Sequence, residues 1–343
     1  MILNKLLKKG YPALDWIQVE ISSMCNAECI YCPHSEYRKG WKNRLMPIEL
    51  YRSLIPAFSK TGLVFLQGWG EPFMHPDFLD FLRQAKRAGC MVGTTTNGTL
   101  LDSEKIRELI DEGLDIIGFS LAGTDEKNDI IRKGTSIKKV LDCMEEIHRL
   151  RGKDPENRPK IHVAYMLLRS GLRDIHKIPA FLENAGAEHT VISSLSLAVN
   201  SEMEKERITA SDETESRELV KTFNAIEKEG EKRGTEIYFN VVSPLMKESS
   251  CSENIRRALV TGSDGNVSPC VMGNIPAAGD NFYYFRGIKK ELHNISFGSI
   301  LNESLKSIWH RKEYKEFRIR HRKGKSVFFC GHCQKHYIMN IHQ

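Results

Sequence analysis

The sequence predicts an α/β protein whose first part forms a parallel β-sheet. Between residues 16 and 196, six short runs rich in β-branched and aromatic residues alternate with longer amphipathic stretches. This alternation is typical of βα units, because a parallel strand needs a long crossover to return to the same edge of the sheet. Polar clusters also follow the first three runs, at the edge where ligands of parallel sheets bind.

Seven strands are predicted from these apolar runs and their turn-forming flanks. They are WIQVEIS (16–22), LVFLQ (63–67), MVGTTTN (91–97), IIGFSLA (116–122), IHVAYMLL (161–168), HTVISSLSL (189–197) and IYFNVVSP (237–244). Periodicity alone leaves open whether the sheet is flat or curled into a partial barrel.

Helical patterns fill the connections between the strands. The predicted helical segments are 47–60, 76–89, 103–114, 137–151 and 174–184. The third begins after Asp102 or Ser103 as N-cap and ends at Gly113, which suits the left-handed conformation that closes many helices.

Composition divides the chain into four parts. These are a lead-in over 1–15, a core over 16–200, a charged connecting helix and strand over 201–240, and a cysteine-bearing unit over 241–343. Dense mixed charge over 201–236 indicates an exposed connecting helix. In the last part, two strands are expected on either side of the turn at 263–266, followed by a helix from about Glu303 to His321.

Charge and hydropathy exclude several classes of partner. The 50 basic and 44 acidic residues are mostly interleaved, so the net charge of +6 gives no expectation of a nucleic-acid partner. No apolar run approaches the roughly 20 residues that a membrane span needs. The start, MILNKLLKKGYP, lacks the small-residue cleavage site of a signal peptide. We therefore expect a cytoplasmic protein without a membrane span.

Seven of the nine cysteines fall into two groups. In a reducing compartment such groups are more often metal-binding or catalytic than cross-linked. The groups are Cys25, Cys29 and Cys32, and later Cys251, Cys270, Cys330 and Cys333. The other two, Cys90 and Cys143, have apolar neighbours and are expected in the core.

The first group has one thiol too few for an ordinary metal site. A structural zinc ion and a common iron–sulfur cluster each take four protein ligands. Either a fourth ligand lies elsewhere, or one metal position is left open.

Two polar turns are predicted beside this cysteine loop. Gly-Trp-Gly-Glu-Pro (68–72) follows the second strand, and Thr-Thr-Asn-Gly (95–98) follows the third. Gly68 and Gly70 allow backbone groups to approach a ligand closely, and Glu71 offers a carboxylate for an ammonium group. Three such clusters at one edge of one sheet indicate a binding site.

These residues resemble the radical S-adenosylmethionine (SAM) enzymes. The family signature is C-x3-C-x2-C with an aromatic residue before the last cysteine, and the sequence has CNAECIYC at 25–32. The family's G-G-E-P loop appears as W-G-E-P at 69–72, with Trp69 in place of the first glycine. The resemblance covers roughly 12–197 and implies a partial (β/α)6 TIM-like barrel.

The resemblance also implies cofactor contacts. Cys25, Cys29 and Cys32 would bind a [4Fe–4S] cluster and leave one iron for the amino acid part of SAM. The implied SAM contacts are Tyr31, Gly70, Glu71, Pro72, Thr96, Asn97, Ser120 and Arg132. Enzymes of this family reductively cleave SAM to a 5′-deoxyadenosyl radical that abstracts a substrate hydrogen, so a low-potential reductant such as ferredoxin or flavodoxin is an expected partner.

The second half resembles the SPASM or shorter twitch extension of the same enzymes. Its opening pattern is met by Cys251, Gly265 and Cys270, and the segment ESLKSIWHRKEYKEFR is followed by Cys330-x2-Cys333. Four cysteines can ligate one four-iron cluster and cannot ligate two. The resemblance therefore implies a single auxiliary [4Fe–4S] cluster, which accepts an electron or positions the substrate.

The implied function is oxidation or maturation of a peptide, a protein side chain, a sugar or a cofactor precursor. The W-G-E-P variant is similar to proteins that mature tungsten-pterin oxidoreductases. Two alternatives remain open: zinc sites, with His34 as fourth ligand of the first group, and a non-catalytic cluster-bearing scaffold. The Cys330-Gly-His-Cys333 dithiol lacks the thioredoxin-like context of a disulfide oxidoreductase.

No general acid or base is assigned from the sequence. Five polar residues near strand ends are expected in ordinary core or rim roles. They are Asp15, Glu20, His162, Tyr165 and Arg169.

Overall fold

The computed structural model describes residues 11–152, 154, 156–241, 251, 253–323, 330, 333 and 335. The described strands are β1 (Leu14–Val19), β2 (Glu28–Cys29), β3 (Thr61–Leu66), β4 (Met91–Thr96), β5 (Ile116–Leu121), β6 (Arg132–Lys133), β7 (Lys160–Leu167), β8 (His189–Ser194), β9 (Glu236–Asn240), β10 (Ala258–Thr261), β11 (Val267–Ser268), β12 (Phe282–Phe285) and β13 (Ile288–Glu291).

The described α-helices connect these strands. They are α1 (Pro33–Glu36), α2 (Ile48–Arg52), α3 (Ile55–Phe58), α4 (Phe78–Arg87), α5 (Ser103–Asp111), α6 (Lys127–Ile131), α7 (Ile137–Arg151), α8 (Ile178–Ala185), α9 (Ser201–Lys205), α10 (Glu213–Lys232), α11 (Leu305–His310) and α12 (Lys312–Arg322). Short 3₁₀ turns cover Pro72–Met74, Arg169–Lys177 and Val271–Gly273. Among these described helices, none is both long and apolar enough to cross a bilayer.

The central sheet has nine strands in the order β11-β10-β1-β3-β4-β5-β7-β8-β9. The six strands predicted over 16–196 are confirmed, and each pairs in parallel with the next. The seventh, β9, extends the sheet in parallel beside β8. At the opposite edge, β10 pairs in parallel with β1, and β11 folds back antiparallel to β10 about the predicted turn.

Side-chain alternation along β5 shows how the sheet positions its two faces. Phe119 and Leu121 are buried and belong to the same apolar core as Leu109 of α5 and Val140 of α7. The intervening Ser120 lines a cavity on the other face. Because strand side chains alternate between faces, helices cover one face and polar residues collect on the other. Cys90 and Cys143 lie in the core, as predicted.

Three predicted helices differ from the structure. The segment 47–60 is divided into α2 and α3, and Pro56 lies in the first turn of α3. Residues up to Lys177 form a 3₁₀ turn before α8 begins. The helix predicted over 303–321 is interrupted at Arg311, whose extended backbone (φ −56°, ψ 145°) ends α11 and begins α12.

The connecting region 201–236 is also not one helix. It forms α9 and α10, and the N-cap of α10 is Asp212, whose carboxylate accepts hydrogen bonds from the backbone N–H groups of Thr214 and Glu215. The sequence did not predict the β2–β6 pair or the β12–β13 hairpin.

Candidate functional site

A cavity of about 420 Å³ lies at the carboxyl ends of the parallel strands. Ten of the predicted site residues line it: Cys25, Cys29, Tyr31, Cys32, Gly70, Glu71, Thr96, Asn97, Ser120 and Arg132. Pro72 does not line this cavity. Val271, Met272 and Lys335 form another part of the wall, and each lies within two residues of Cys270 or Cys333 in the sequence. The cavity therefore reaches from the first cysteine group to chain segments that carry two of the late cysteines.

A compact turn brings the first three thiols together. Cys29 lies in β2, which pairs antiparallel with β6, so that Cys29 is opposite Arg132. The backbone N–H of Cys32 donates to the carbonyl of Cys29 at 3.1 Å. Cys32 then precedes α1, which begins with Pro33, a residue that tolerates the first helical position because it needs no N–H partner there.

The electrostatic setting of these thiols favours a positively charged ligand. Burial raises the pKa of the Cys25 thiol to about 11 and that of Cys32 to about 12. A thiolate in this setting needs compensating charge, and metal ions deprotonate the thiols that bind them. The donor set therefore fits an iron–sulfur cluster.

His34 lies apart from this cavity wall. Its ring packs edge-on against Trp41, with 5.1 Å between ring centroids. Among the described residues, no three Cys, His, Asp or Glu side chains are close enough to bind one metal ion. The thiolates of a four-iron cluster bind different irons and lie farther apart than the ligands of one zinc ion.

Glu71 joins two of the polar loops. Its carboxylate is 3% exposed and accepts hydrogen bonds from the Thr96 hydroxyl (2.7 Å), the Asn97 backbone N–H (2.8 Å) and the Phe73 backbone N–H (3.2 Å). Burial raises the pKa of Glu71. An ionised carboxylate has about four acceptor positions, so these three bonds leave roughly one position available.

Gly70 allows the same loop to lie directly against the cysteine loop. A Cβ at this position would lie 2.4 Å from the Ser22 carbonyl oxygen and 2.5 Å from that of Met24. The next N–H, that of Glu71, donates to the Met24 carbonyl at 2.7 Å. Only glycine fits this approach, which is made to the chain's own backbone.

Arg132 lies beside the first three thiols. Its guanidinium donates to the Tyr31 hydroxyl. The Nε of Arg132 is buried and has no hydrogen-bond partner within the described part of the chain. A buried donor without a partner is costly, which makes this atom a candidate contact for an anionic ligand group.

The late cysteines also influence one another. Burial is the main cause of the raised pKa of each, and nearby late thiols contribute: Cys333 to the other three, and Cys251 to Cys270 and Cys330. The pKa values of Cys251 and Cys330 rise to about 12. These mutual effects indicate that the four late thiols lie in one neighbourhood of the fold.

Glu20 connects the cavity to the late part of the chain, although the sequence suggested only a core or rim role for it. It is 1% exposed, and its carboxylate accepts from the Trp69 backbone N–H at 2.9 Å and the Ser263 hydroxyl at 3.2 Å. Burial raises the pKa of Glu20 to about 7. The indole N–H of Trp69 in turn donates to the Val271 carbonyl at 3.1 Å.

Sequence reasoning also missed Gln18 and Gln67, which line the cavity. Gln18 lies on β1, two residues before Glu20, which follows the strand, and Gln67 follows β3, the neighbouring strand. The available signal was the period of two along each strand, which places Gln18 and Glu20 on one face.

Family models match both parts of the chain. The radical SAM superfamily model matches residues 19–182, and the model of an iron–sulfur cluster-binding domain, SPASM, matches residues 251–334. The second description favours the cluster over the zinc alternative. A curated relative, the tungsten-containing aldehyde ferredoxin oxidoreductase cofactor-modifying protein of Pyrococcus furiosus, is 25% identical over 319 residues, covering 89% of this chain and 83% of the relative.

Solved structures share the fold. The anSMEcpe structure with bound AdoMet and Cp18Cys peptide has a TM-score of 0.66 at 17% identity, covering 94% of this chain and 87% of that one. Streptococcus suis SuiB bound to S-adenosylmethionine has a TM-score of 0.63 at 14% identity, covering 92% of this chain and 70% of that one. The predicted partial barrel is thereby confirmed, and with both family models matched, the chain belongs to the radical SAM superfamily and its SPASM subgroup.

Proposed function

We propose that this radical SAM enzyme oxidises or matures a cofactor or cofactor precursor, and that its auxiliary cluster accepts an electron. The observation that carries the proposal is the cavity that runs from the first cysteine group to the segment of the late cysteines. The name of the Pyrococcus furiosus relative, a cofactor-modifying protein, supports a cofactor as substrate over a peptide, a protein side chain or a sugar.

Cys25, Cys29 and Cys32 are proposed to hold the first [4Fe–4S] cluster. Three thiolates leave one iron open for the amino and carboxylate groups of SAM. The chemistry that this pair supplies when bound is reductive cleavage to a 5′-deoxyadenosyl radical able to remove a substrate hydrogen.

The polar loops are proposed to orient SAM. Glu71 has one acceptor position left for an ammonium group, and the unpartnered Nε of Arg132 suits a carboxylate. Asn97 ties its turn to the cysteine loop through a 2.9 Å hydrogen bond from its side-chain amide to Asn26. Tyr31, Gly70, Thr96 and Ser120 complete the proposed wall, and Pro72 acts from behind it by beginning the 3₁₀ turn after Glu71.

The late cysteines are proposed to bind the auxiliary [4Fe–4S] cluster. Four thiolates leave no iron free for a substrate atom, which favours the electron-accepting role over substrate binding. The electron that starts each turnover would come from a low-potential cytoplasmic reductant such as ferredoxin or flavodoxin.

Metal analysis with electron paramagnetic resonance tests the proposal. Anaerobically reconstituted parent protein should hold about eight irons per chain in two clusters, and the Cys25/Cys29/Cys32 triple alanine variant about four. The parent should also release 5′-deoxyadenosine when given dithionite and SAM, while the triple variant should not. A parent with about four irons has lost one of the proposed clusters. A fully loaded parent that never cleaves SAM would support the scaffold alternative.

A further inference from the structure

Trp69 lines the cavity, and both of its N–H groups are hydrogen-bonded within the chain. Its backbone N–H donates to Glu20 at 2.9 Å, and its indole N–H donates to the Val271 carbonyl at 3.1 Å. The side chain packs against a buried apolar cluster, as do Met166 and Met272, which also line the cavity. With both polar groups occupied by the chain, the ring presents only its apolar surface to a ligand.

Two side-chain amides lie in the same wall. Gln18 and Gln67 are half-buried and line the cavity, and neither amide has a hydrogen-bond partner within the described part of the chain. Gln18 lies on β1 and Gln67 directly follows the neighbouring strand β3, and both border the same cavity. Each amide offers one acceptor and two donors.

Each charged group of the wall that the structure describes has at least one partner within the chain. Lys335 pairs with Glu253 at 3.0 Å, Arg132 donates to Tyr31, and Glu71 accepts three hydrogen bonds. Gln18, Gln67 and Trp69 carry no charge themselves, so their part of the wall combines an apolar ring with amide donors and acceptors.

From this geometry we propose that Gln18, Gln67 and Trp69 form the substrate subsite, which takes a planar, uncharged lactam heterocycle. The ring would stack on the Trp69 indole, and its neighbouring N–H and C=O groups would pair with the two amides, as glutamine pairs with the edge of a nucleobase. This inference rests on the proposed function and names the substrate class of that site.

Two probes of the same shape test the inference. Lumazine is a planar pteridine dione with free ring N–H groups, and 1,3-dimethyllumazine has the N–H groups of its dione ring methylated. Binding is measured by anaerobic equilibrium dialysis on reconstituted protein with SAM and no reductant. The parent should bind lumazine at least about 10-fold more tightly than 1,3-dimethyllumazine. The dimethyl probe has no N–H groups on its dione ring, so it leaves amide groups of Gln18 and Gln67 unpaired in the complex.

Variants of the subsite separate the two kinds of contact. In Gln18→Leu and Gln67→Leu the affinity ratio of lumazine to 1,3-dimethyllumazine should fall towards twofold or less. The size of this fall corresponds roughly to the loss of one hydrogen bond. In Trp69→Leu both probes should weaken together, by about three- to tenfold, because the stacking contact is lost for each. The matched control is Gln84→Leu, on α4 and away from the cavity wall, which should bind as the parent does.

Three results would overturn the subsite. They are equal affinity of the parent for both probes, no binding of lumazine, and an unchanged preference for lumazine in both glutamine variants. Equal binding of the flexible amide N-acetylglycine methylamide and lumazine, unaffected by Trp69→Leu, would overturn the planar ligand. Iron content and 5′-deoxyadenosine release are measured on the same samples. A parent that lacks the iron or releases no 5′-deoxyadenosine would count against the proposed function. A parent that has both and still fails to bind the probes as expected would overturn only this inference.

Discussion

At the scale of single residues, environment divides cysteines of one chain into different roles. Cys90 is buried in the apolar core, and its thiol donates to the Phe58 carbonyl at 3.0 Å. Cys29 is also buried, yet it borders the cavity and lies opposite Arg132. Satisfied core thiols are inert, whereas thiols at a cavity can bind metal.

Replacing Cys29 with alanine should remove the first cluster. We expect Cys29→Ala to lose about four irons per chain and to form no 5′-deoxyadenosine, because two thiolates cannot retain the cluster. Iron analysis and chromatography of the SAM products provide the measurement. Cys90→Ala is the control and should keep its iron at a stability cost on the order of 1 kcal/mol. Normal SAM cleavage by Cys29→Ala would contradict the assignment.

At the scale of elements, the site depends on contacts between loops. The loop after β3 lies against the backbone before Cys25 through Gly70, and its Glu71 holds the turn after β4. A change in one loop therefore moves the others.

Gly70→Ala should disturb all of these loops together. The added Cβ would meet backbone oxygens of Ser22 and Met24, which cannot rotate away, so overpacking should cost on the order of 1–3 kcal/mol and weaken SAM binding. Thermal unfolding and equilibrium dialysis with SAM measure the two effects. Gly171→Ala is the matched control, since its Cβ would make an ordinary 3.5 Å contact with Leu167. If Gly70→Ala binds SAM as tightly as the parent does, the SAM site does not depend on this contact between loops.

At the scale of the whole molecule, one sheet unites the two cysteine-bearing parts. The strand before the first cysteines, β1, has β3 on one side and β10 on the other. Glu20 strengthens this union, because its carboxylate accepts from Trp69 and from Ser263.

Glu20 should make stability depend on pH. Its pKa rises from 4.5 to about 7 in the folded state, so the folded protein keeps a proton that the unfolded chain has lost. The free energy of unfolding should therefore fall as pH rises through this window, by on the order of 3 kcal/mol. The Tm of Glu20→Gln minus that of the parent should increase from pH 5 to pH 8. For the exposed control Glu49→Gln this difference should stay constant. Parallel pH profiles for the parent and Glu20→Gln would show that Glu20 does not titrate as argued.

The two cluster sites should be separable by mutation. We expect Cys330→Ala to lose about half of the iron while still forming 5′-deoxyadenosine, because the first three thiols remain intact. Metal analysis and product chromatography on one sample test this. Simultaneous loss of all iron would mean that the first cluster depends on the second.

Local spacing and strand order were the predictable features. The CNAECIYC loop and the βα alternation could be identified because their signals lie within a few residues. Glu20 and the two glutamines could not, since their importance depends on partners such as Ser263, 243 residues away. The β12–β13 hairpin was missed because its turn uses Arg286 in the left-handed region (φ 54°), where glycine or asparagine is the usual signal.

The position of β10 also affects how the chain is made. Ribosomes release β1 long before residues 258–261, so until then one edge of β1 has no strand partner among the described residues. An unpaired edge strand is prone to join strands of other molecules. A fragment that ends before residue 258 should therefore aggregate, and the newly synthesised chain needs protection of this edge until its last quarter emerges.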